Sequence, residues 1–177
     1  MVWKVLGRKP RASEAAGKAL YAAAVDQARR PGFYTQLGVA DSANGRFELY
    51  SLHVILLLRR LKAGGERAGE TAQALFDVYI SELDQALREQ GVGDLSMAKT
   101  MRKLGEAFYG RVRSYDEALD ALPEGAPLRE LLARTLGEEG GDAEGLAKYA
   151  TAALERLAAV TDATLLEGRA AWPEVTE

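Results

Sequence analysis

The chain has 177 residues, a formal net charge of −3, one histidine and no cysteine. This length suits a single domain, and the lack of cysteine excludes disulfides, thiolate metal sites and cysteine nucleophiles. One histidine is too few for the two or three imidazoles that histidine-based zinc sites commonly use. A mildly acidic chain has no general attraction to nucleic acid. We therefore expect no cofactor, no metal and no specific nucleic-acid partner.

Charge is distributed unevenly along the chain. Residues 1–62 carry a net charge of +7, residues 63–113 carry −1 and residues 114–177 carry −9. Such polarity indicates two faces with different partners or one end near an anionic surface, although chance drift in helix-surface charge would give the same pattern. No apolar run is long enough to span a membrane, and the N-terminus lacks the apolar core of a secretory signal. We expect a cytoplasmic protein, with peripheral contact to the cytoplasmic face of the inner membrane as an option.

Helix-forming residues dominate the sequence, and no segment shows the sustained alternation of a strand. We predict an all-α fold, a single-domain irregular helical bundle of about six or seven helices. The predicted helices, in chain order, span residues 13–29, 46–62, 70–90, 96–113, 114–122, 127–136 and 142–161. Ser13, Ser96, Ser114 and Asp142 are of the types that cap helix N-termini, and Pro127 suits a first helical turn.

Two of these helices have contrasting patterns. The helix over 46–62 is apolar nearly all round, which is typical of a central, buried helix, whereas the helix over 70–90 has one apolar stripe. We place the helical domain at 13–165, after a basic, flexible segment at 1–12 and before a C-terminal tail at 166–177 that packs only in part. The segment at 1–12 combines Trp3 with Lys and Arg, a composition found at membrane interfaces.

His53 is the first candidate for acid–base chemistry, and it lies inside the most apolar predicted helix. A catalytic histidine needs a partner within hydrogen-bond reach, but the sequence has no G-x-S-x-G motif and no second histidine. A Walker A motif and the paired E-x-x-H motifs of di-iron bundles are also missing. We interpret His53 as a core or groove residue and predict that the protein is not an enzyme.

The fourth predicted helix has a basic edge. Lys99, Arg102 and Lys103 lie at i, i+3 and i+4, beside a stripe that contains Met97 and Met101. Such an edge suits binding of another helix or of anionic lipid. A solvated edge next to a methionine core stripe would have the same pattern, so the sequence leaves both interpretations open.

Short runs between residues 20 and 120 resemble one protein family. The matching runs are residues 27–31 (QARRP), 33–34 (FY), 44–48 (NGRFE), 52–53 (LH), 74–76 (ALF), 87–89 (LRE), 91–94 (GVGD), 101–103 (MRK) and 108–111 (FYGR). Taken singly, none of them is decisive. As an ordered set at consistent spacing, they are similar to the ubiquinol–cytochrome c chaperone family.

This resemblance implies a non-catalytic assembly chaperone for ubiquinol–cytochrome c reductase, the cytochrome bc complex. Mitochondrial members are similar to a chaperone that binds newly made cytochrome b and acts with a small partner protein near the ribosome exit at the inner membrane. The chain resembles a bacterial relative, since it begins without a long extension or transit peptide. We expect cytochrome b or another subunit of the complex as the client. A small partner protein, the ribosome and an anionic membrane surface are further candidate partners.

The resemblance also implies a client-binding surface. The eleven candidate client-binding residues are Phe33, Tyr34, Asp41, Arg46, His53, Asp94, Lys99, Lys103, Tyr109, Arg111 and Tyr115. Some of these have alternative structural roles. Asp41 is a candidate cap for the second predicted helix or partner for Arg46, and Asp94 is a candidate organiser of the turn after Gly93.

Two other functions stay open. One is an enzyme or sensor that binds a small ligand around His53, which a closed apolar cavity ringed by His53, tyrosine and arginine would favour. The other is a peripheral membrane scaffold that uses Trp3. An open groove beside the fourth predicted helix would instead favour a protein client.

Overall fold

The computed structural model describes residues 12–137 and 140–175, which form eight helices and contain no strand. The helices are α1 (Ala12–Ala28), α2 (Gly32–Thr35), α3 (Ala43–Lys62), α4 (Glu66–Glu89), α5 (Asp94–Asp120), α6 (Ala126–Thr135), α7 (Ala143–Ala159) and α8 (Asp162–Leu166). The predicted all-α class is confirmed. Apart from Ala12, the predicted basic segment at 1–12 lies outside the described residues. No described helix combines the length and apolar character needed to cross a bilayer.

Helix α3 lies at the centre of the bundle and packs against α1, α4, α5 and α7. Every residue from 51 to 57 is buried, as the apolar pattern on all sides of this helix predicts. Two polar side chains lie in this stretch, and both are hydrogen-bonded. Ser51 Oγ pairs with the Tyr79 hydroxyl at 2.8 Å, and His53 makes the contacts described below. A central helix can therefore carry polar groups, because each of them has a partner.

Helices α1 and α4 lie side by side because of a glycine. A Cβ atom at Gly17 would be 2.6 Å from the Leu75 backbone nitrogen and 2.7 Å from the Ala74 Cβ. These separations are far shorter than van der Waals contact, so a larger residue would push the helices apart. Further along the pair, the ring centroids of Tyr21 and Tyr79 are 6.4 Å apart. The two helices thus run in the same direction, from their close contact toward the cleft described below.

Three predicted N-caps are wrong, because the three serines lie inside helices and not at the position before a first turn. Ser13 and Ser96 lie within the first turns of α1 and α5, and Ser114 lies deep inside α5. Helix α5 therefore joins two predicted helices into one. It continues past Ser114 because Tyr115 and Leu119 extend its buried stripe.

Two other helix starts show what a cap contributes. Ser42 accepts a hydrogen bond from the Gly45 backbone N–H at 3.1 Å, so α3 begins at Ala43, before the predicted start at 46. Asp142 caps α7 as predicted, and it accepts from the Gly145 N–H at 3.0 Å. Each side-chain oxygen satisfies one of the free N–H groups in the first turn of its helix.

Candidate functional site

An open cleft of about 940 Å³ lies between the amino-terminal half of α3, the carboxyl-terminal half of α4 and the middle of α5. Its apolar lining consists of Phe47 from α3, Leu83 and Leu87 from α4, and Leu104 and Ala107 from α5. All five side chains are half-buried or exposed. The cleft is therefore an extension of the core stripe of α4 that no other described element covers.

Opposite charges line the two sides of this cleft. Arg29 and Arg46 lie on the α1–α3 side, and Glu82 and Glu89 lie on α4. All four are exposed to solvent. Arg46 Nε donates to Asp41 Oδ1 at 2.7 Å, and this hydrogen bond lowers the pKa of the Asp41 carboxyl. The α1–α3 wall therefore carries Arg29 beside the Arg46–Asp41 pair, and the α4 wall carries two carboxylates. Such charges over an apolar lining suit an amphipathic polypeptide segment better than a small apolar ligand.

A buried ion pair connects α3 with α5 at the base of the cleft. Arg111 Nε donates to Glu48 Oε2 at 2.9 Å, and Arg111 Nη2 donates to Glu48 Oε1 at 2.8 Å. The Glu48 side chain is only 4% exposed and that of Arg111 is 34% exposed. This paired geometry fixes both side chains, because the planar guanidinium matches the two carboxylate oxygens. Arg111 therefore holds the position of α5 relative to α3 and also lines the cleft.

A shallower depression of about 410 Å³ adjoins the cleft on the α1–α2 side. It shares Arg29, Arg46 and Tyr50 with the cleft and adds Tyr34. Arg29 Nε donates to the Tyr50 hydroxyl at 3.1 Å, and the Tyr34 hydroxyl donates to the Ala28 carbonyl at 3.1 Å. The two hollows form one surface, and both tyrosine and arginine side chains line it.

His53 lies in the core and is fully buried. Its Nδ1–H donates to the Leu49 carbonyl at 2.7 Å, so in the neutral ring Nε2 accepts from the Tyr149 hydroxyl, also at 2.7 Å. Gln27 Nε2 donates in turn to the Tyr149 oxygen at 3.1 Å. The rings of Phe33, Tyr149 and Trp172 surround the imidazole at centroid distances of 5.0–5.6 Å.

Burial lowers the pKa of His53 to about 4, because a charged imidazolium would lose its hydration in this apolar environment. At neutral pH the ring is therefore uncharged, and protein groups occupy both of its nitrogens. This arrangement is structural. It provides no free nitrogen for a ligand or for proton transfer, and His53 does not line the cleft.

The structure separates the eleven predicted client-binding residues into four groups. Asp41, Arg46 and Arg111 line the cleft, and Tyr34 lies in the adjoining depression. Phe33, His53 and Tyr115 are fully buried in the core. Lys99, Lys103 and Tyr109 are exposed on α5. Asp94 is the first residue of α5 and accepts from Arg88 Nη1 at 2.9 Å, so it ties the α4–α5 turn together.

Two structural alternatives for these residues are thereby decided. Ser42, not Asp41, caps α3, and Asp41 instead pairs with Arg46. Asp94 has its predicted role next to Gly93, although its partner is Arg88 from the end of α4.

Sequence reasoning missed the cleft residues Phe47, Glu48, Leu83 and Leu87. Glu48 carried a usable signal, since a carboxylate in the first turns of the most apolar helix needs a buried cationic partner. Leu83 and Leu87 belong to a stripe that the sequence assigned to the core. Within residues 12–137 and 140–175, no three His, Asp or Glu side chains cluster as metal ligands would.

Known proteins resemble the chain along most of its length. The family model described as "Ubiquinol-cytochrome C chaperone" matches residues 35–172. A solved structure, "Crystal structure of the Cbp3 homolog from Brucella abortus", shares 34% sequence identity and a TM-score of 0.85, and the match covers 99% of this chain and 98% of that one.

Two curated vertebrate proteins are similar at lower identity. The ubiquinol-cytochrome-c reductase complex assembly factor 1 of Xenopus laevis is 23% identical over 162 residues, which are 89% of this chain and 80% of the frog protein. Its Mus musculus counterpart is 24% identical over 163 residues, so the chain spans only 55% of the mouse protein. The family match over residues 35–172 includes α3, α4 and α5, which build the cleft. The chain belongs to the ubiquinol-cytochrome c chaperone family.

Proposed function

We propose that the protein is a non-catalytic assembly factor for ubiquinol–cytochrome c reductase and that its cleft binds a newly made subunit of that complex, cytochrome b. Family membership and the vertebrate assembly factors support the assembly role. The observation that carries the site is the open cleft beside α5, with its uncovered apolar lining and the exposed carboxylates of its α4 wall. A client segment can bind there without any chemical step.

The chemistry of a membrane-protein client fits this cleft. Cytoplasmic loops of membrane proteins are enriched in Lys and Arg, and the helices they connect are apolar. Glu82 and Glu89 on α4 would pair with such cations, while Leu83 and Leu87 would cover apolar side chains next to them. Exposed ion pairs add little affinity, so the carboxylates would chiefly orient the segment and the leucines would supply most of the binding free energy.

The small-ligand alternative needs a cavity around His53. That imidazole is instead packed by three rings and hydrogen-bonded at both nitrogens. The uncovered surface lies elsewhere, and exposed helix faces form its walls. These observations favour a polypeptide client over a metabolite.

Site-specific photocrosslinking in the protein's own membranes tests this proposal. A photoreactive residue at Leu87 lies in the cleft, and one at Leu154 on α7 is a matched control, since both are half-buried helical leucines. We expect cytochrome b to be recovered from position 87 and not from position 154. Recovery of no subunit of the complex from position 87, or equal recovery from both, would contradict the proposal.

A second variant tests the charged wall. Glu82→Lys combined with Glu89→Lys reverses the α4 side of the cleft, and we expect the crosslink yield from position 87 to fall several-fold. An unchanged yield would remove these carboxylates from client recognition. Recovery of only a small metabolite would shift the assignment to ligand binding.

A further inference from the structure

Helix α5 has two opposite faces, and only one of them lines the cleft. Leu104, Ala107 and Arg111 point into the cleft. Leu95, Arg102 and Tyr109 follow one another at seven-residue intervals, which places them on a common face of the helix, on the far side from the cleft. Lys99 lies one turn from Leu95 on this same face, and Lys103 lies at its edge. We call these five residues the outer face of α5.

The outer face carries the only large apolar side chains that are exposed among the described residues. Leu95 is 104% exposed and Tyr109 is 62% exposed. No described element packs against Leu95, which has more exposed area than in a reference extended peptide. Tyr109 keeps one contact with another helix, since its ring centroid is 5.8 Å from that of Phe76 on α4. The apolar part of the outer face therefore consists of two separate anchors and not of a contiguous patch.

Cations lie between these two apolar side chains. Lys99 and Lys103 are exposed, and neither forms an ion pair with a described residue. Arg102 pairs only with its neighbour Glu106, at 3.3 Å and with both side chains exposed. Residues 95–113 contain five basic and one acidic residue, in a chain whose net charge is −3 and whose last third carries −9. The positive charge of this stretch of α5 therefore contrasts with the negative charge of the last third of the chain.

We propose that the outer face of α5 docks on an anionic lipid surface. Lys99 and Lys103 would reach the phosphate groups, since their long side chains can extend to headgroups while their methylene stems lie along apolar surface. Leu95 would insert among the acyl chains near one end of the face, and Tyr109 would lie at the interface about 20 Å away, at 1.5 Å per residue.

A lipid surface fits this face better than a protein partner. A stable protein interface buries about 800 Å² on each side around a contiguous, well-packed apolar centre. The centre of the outer face is cationic, and its two large apolar side chains are about four helical turns apart. Isolated apolar anchors with lysines between them are instead typical of weak, reversible lipid docking.

Docking of this kind would also position the cleft. The two faces of α5 are separated by one helix diameter, about 10 Å. A protein that lies on the membrane through the outer face would therefore hold its cleft within about this distance of the headgroups. The inference stands apart from the proposed function, because lipid binding can be measured on the purified chain without any client.

Vesicle flotation with the full chain tests the docking surface. The probes are vesicles of phosphatidylcholine alone and vesicles in which about one third of the lipid is phosphatidylglycerol. We expect binding only to the anionic vesicles, weakening as salt screens the charges. The variant Lys99→Glu/Lys103→Glu should lose at least about tenfold in partition coefficient. The control Lys18→Glu/Lys62→Glu has the same charge change at exposed lysines of α1 and α3 and should change it less than about twofold.

A fluorescent label gives a second, independent measurement. The chain has no cysteine, so Leu95→Cys and Ala158→Cys each provide a single site for an environment-sensitive fluorophore. Both positions are exposed, on α5 and α7. We expect the emission at position 95, and not at 158, to shift to the blue on anionic vesicles, and far-UV circular dichroism checks that all variants are folded.

Three results would overturn the proposal. They are absence of wild-type binding to anionic vesicles, binding that survives Lys99→Glu/Lys103→Glu, and an equal loss in both double variants. Survival of binding would assign lipid contact to another part of the chain. If Lys99→Glu/Lys103→Glu abolished recovery of a protein partner while vesicle binding persisted, the outer face would be a protein-binding surface instead.

Discussion

The two halves of α4 carry one continuous apolar stripe but lie in different environments. As far as Tyr79 the stripe is in the core, and Leu75 and Tyr79 are almost completely buried. Beyond this point Ile80, Leu83 and Leu87 continue the stripe, and each of them is only half-buried. The comparison teaches that hydrophobic periodicity identifies the apolar face of a helix but not whether another element covers it.

Helix α5 is also buried at one end and exposed at the other, but here the carboxyl-terminal half is the buried one. Its carboxyl-terminal half is anchored by Tyr115 and Leu119, whereas only Met97 and Phe108 are buried before residue 110. We call residues 80–109 the α4–α5 arm and contrast them with the core around α3. The core gives the arm its position, and the arm exposes the cleft and the outer face.

The largest effect is expected where the arm joins the core. Arg111→Met would leave the Glu48 carboxylate buried without its partner, and we expect a loss of about 3 kcal/mol in the free energy of unfolding. Urea denaturation provides the measurement. The control is Arg113→Met, which breaks only the exposed ion pair with Glu117 and should leave stability nearly unchanged. Equal stability of the two variants would show that Glu48 finds water or another donor when Arg111 is absent.

A pair of glycines should respond with opposite signs. In the core, Gly17→Ala places a methyl group 2.6 Å from the Leu75 backbone nitrogen and should cost about 2 kcal/mol, because α1 and α4 must separate. In the arm, a Cβ at Gly105 meets nothing within 4 Å, so Gly105→Ala should stabilise α5 by about 0.5–1 kcal/mol. Thermal unfolding measures both. A stabilising Gly17→Ala would contradict the close contact of α1 with α4.

The core should also respond to acid through His53. The folded state lowers the pKa of this residue from 6.5 to about 4, so between these values the unfolded chain binds more protons. The stability contributed by the neutral imidazole is complete above pH 6.5 and is lost as the pH falls toward 4. We expect a loss of about 2 kcal/mol between pH 7 and pH 5.

The comparison with His53→Gln isolates this contribution, because the carboxylates titrate in both proteins. Denaturant titrations at a series of pH values should give a shallower pH dependence for the variant. Identical slopes would mean that the imidazole becomes protonated in the folded state at an ordinary pH.

The smallest predicted effect compares two tyrosine hydroxyls. Tyr149→Phe removes the donor to His53 Nε2 and the acceptor for Gln27, and should cost about 1.5 kcal/mol. Tyr109→Phe removes a hydroxyl from an exposed side chain in α5 and should have no measurable effect on stability. Differential scanning calorimetry can resolve this contrast. A neutral Tyr149→Phe would indicate that the core tolerates the unpaired imidazole nitrogen.

Much of the fold could be predicted from local patterns. The burial of α3 followed from apolar residues on all its sides, and the Asp142 cap followed from its residue type and position. Helix starts were less predictable, because a serine that can cap a helix is also tolerated within its first turn, as Ser13 and Ser96 show. Ser114 was predicted to begin a new helix, but it lies inside α5. The helix continues past this residue because Tyr115 is buried against the rest of the protein.

The candidate site was harder to predict. Phe33, His53 and Tyr115 share the family pattern with Asp41 and Arg46, yet the first three are core residues and the last two are at the surface. A family motif does not tell whether a residue has a structural or a binding role. The burial of its side chain in the folded protein separates these two roles. The missed Glu48 shows the reverse case, because its role depends on a partner 63 residues away.

The sequence by itself determined the helical class, the central position of α3, the polarity of charge and the family resemblance. These properties depend on residue type and on spacings of three to seven residues, within which helix geometry is fixed by the backbone. The tertiary structure decided that the end of the α4 stripe stays open as a cleft, that Glu48 meets Arg111, and that α5 presents two separate faces. The reason is physical. Which apolar surface is covered depends on how helices distant in sequence pack together, and no local spacing encodes that packing.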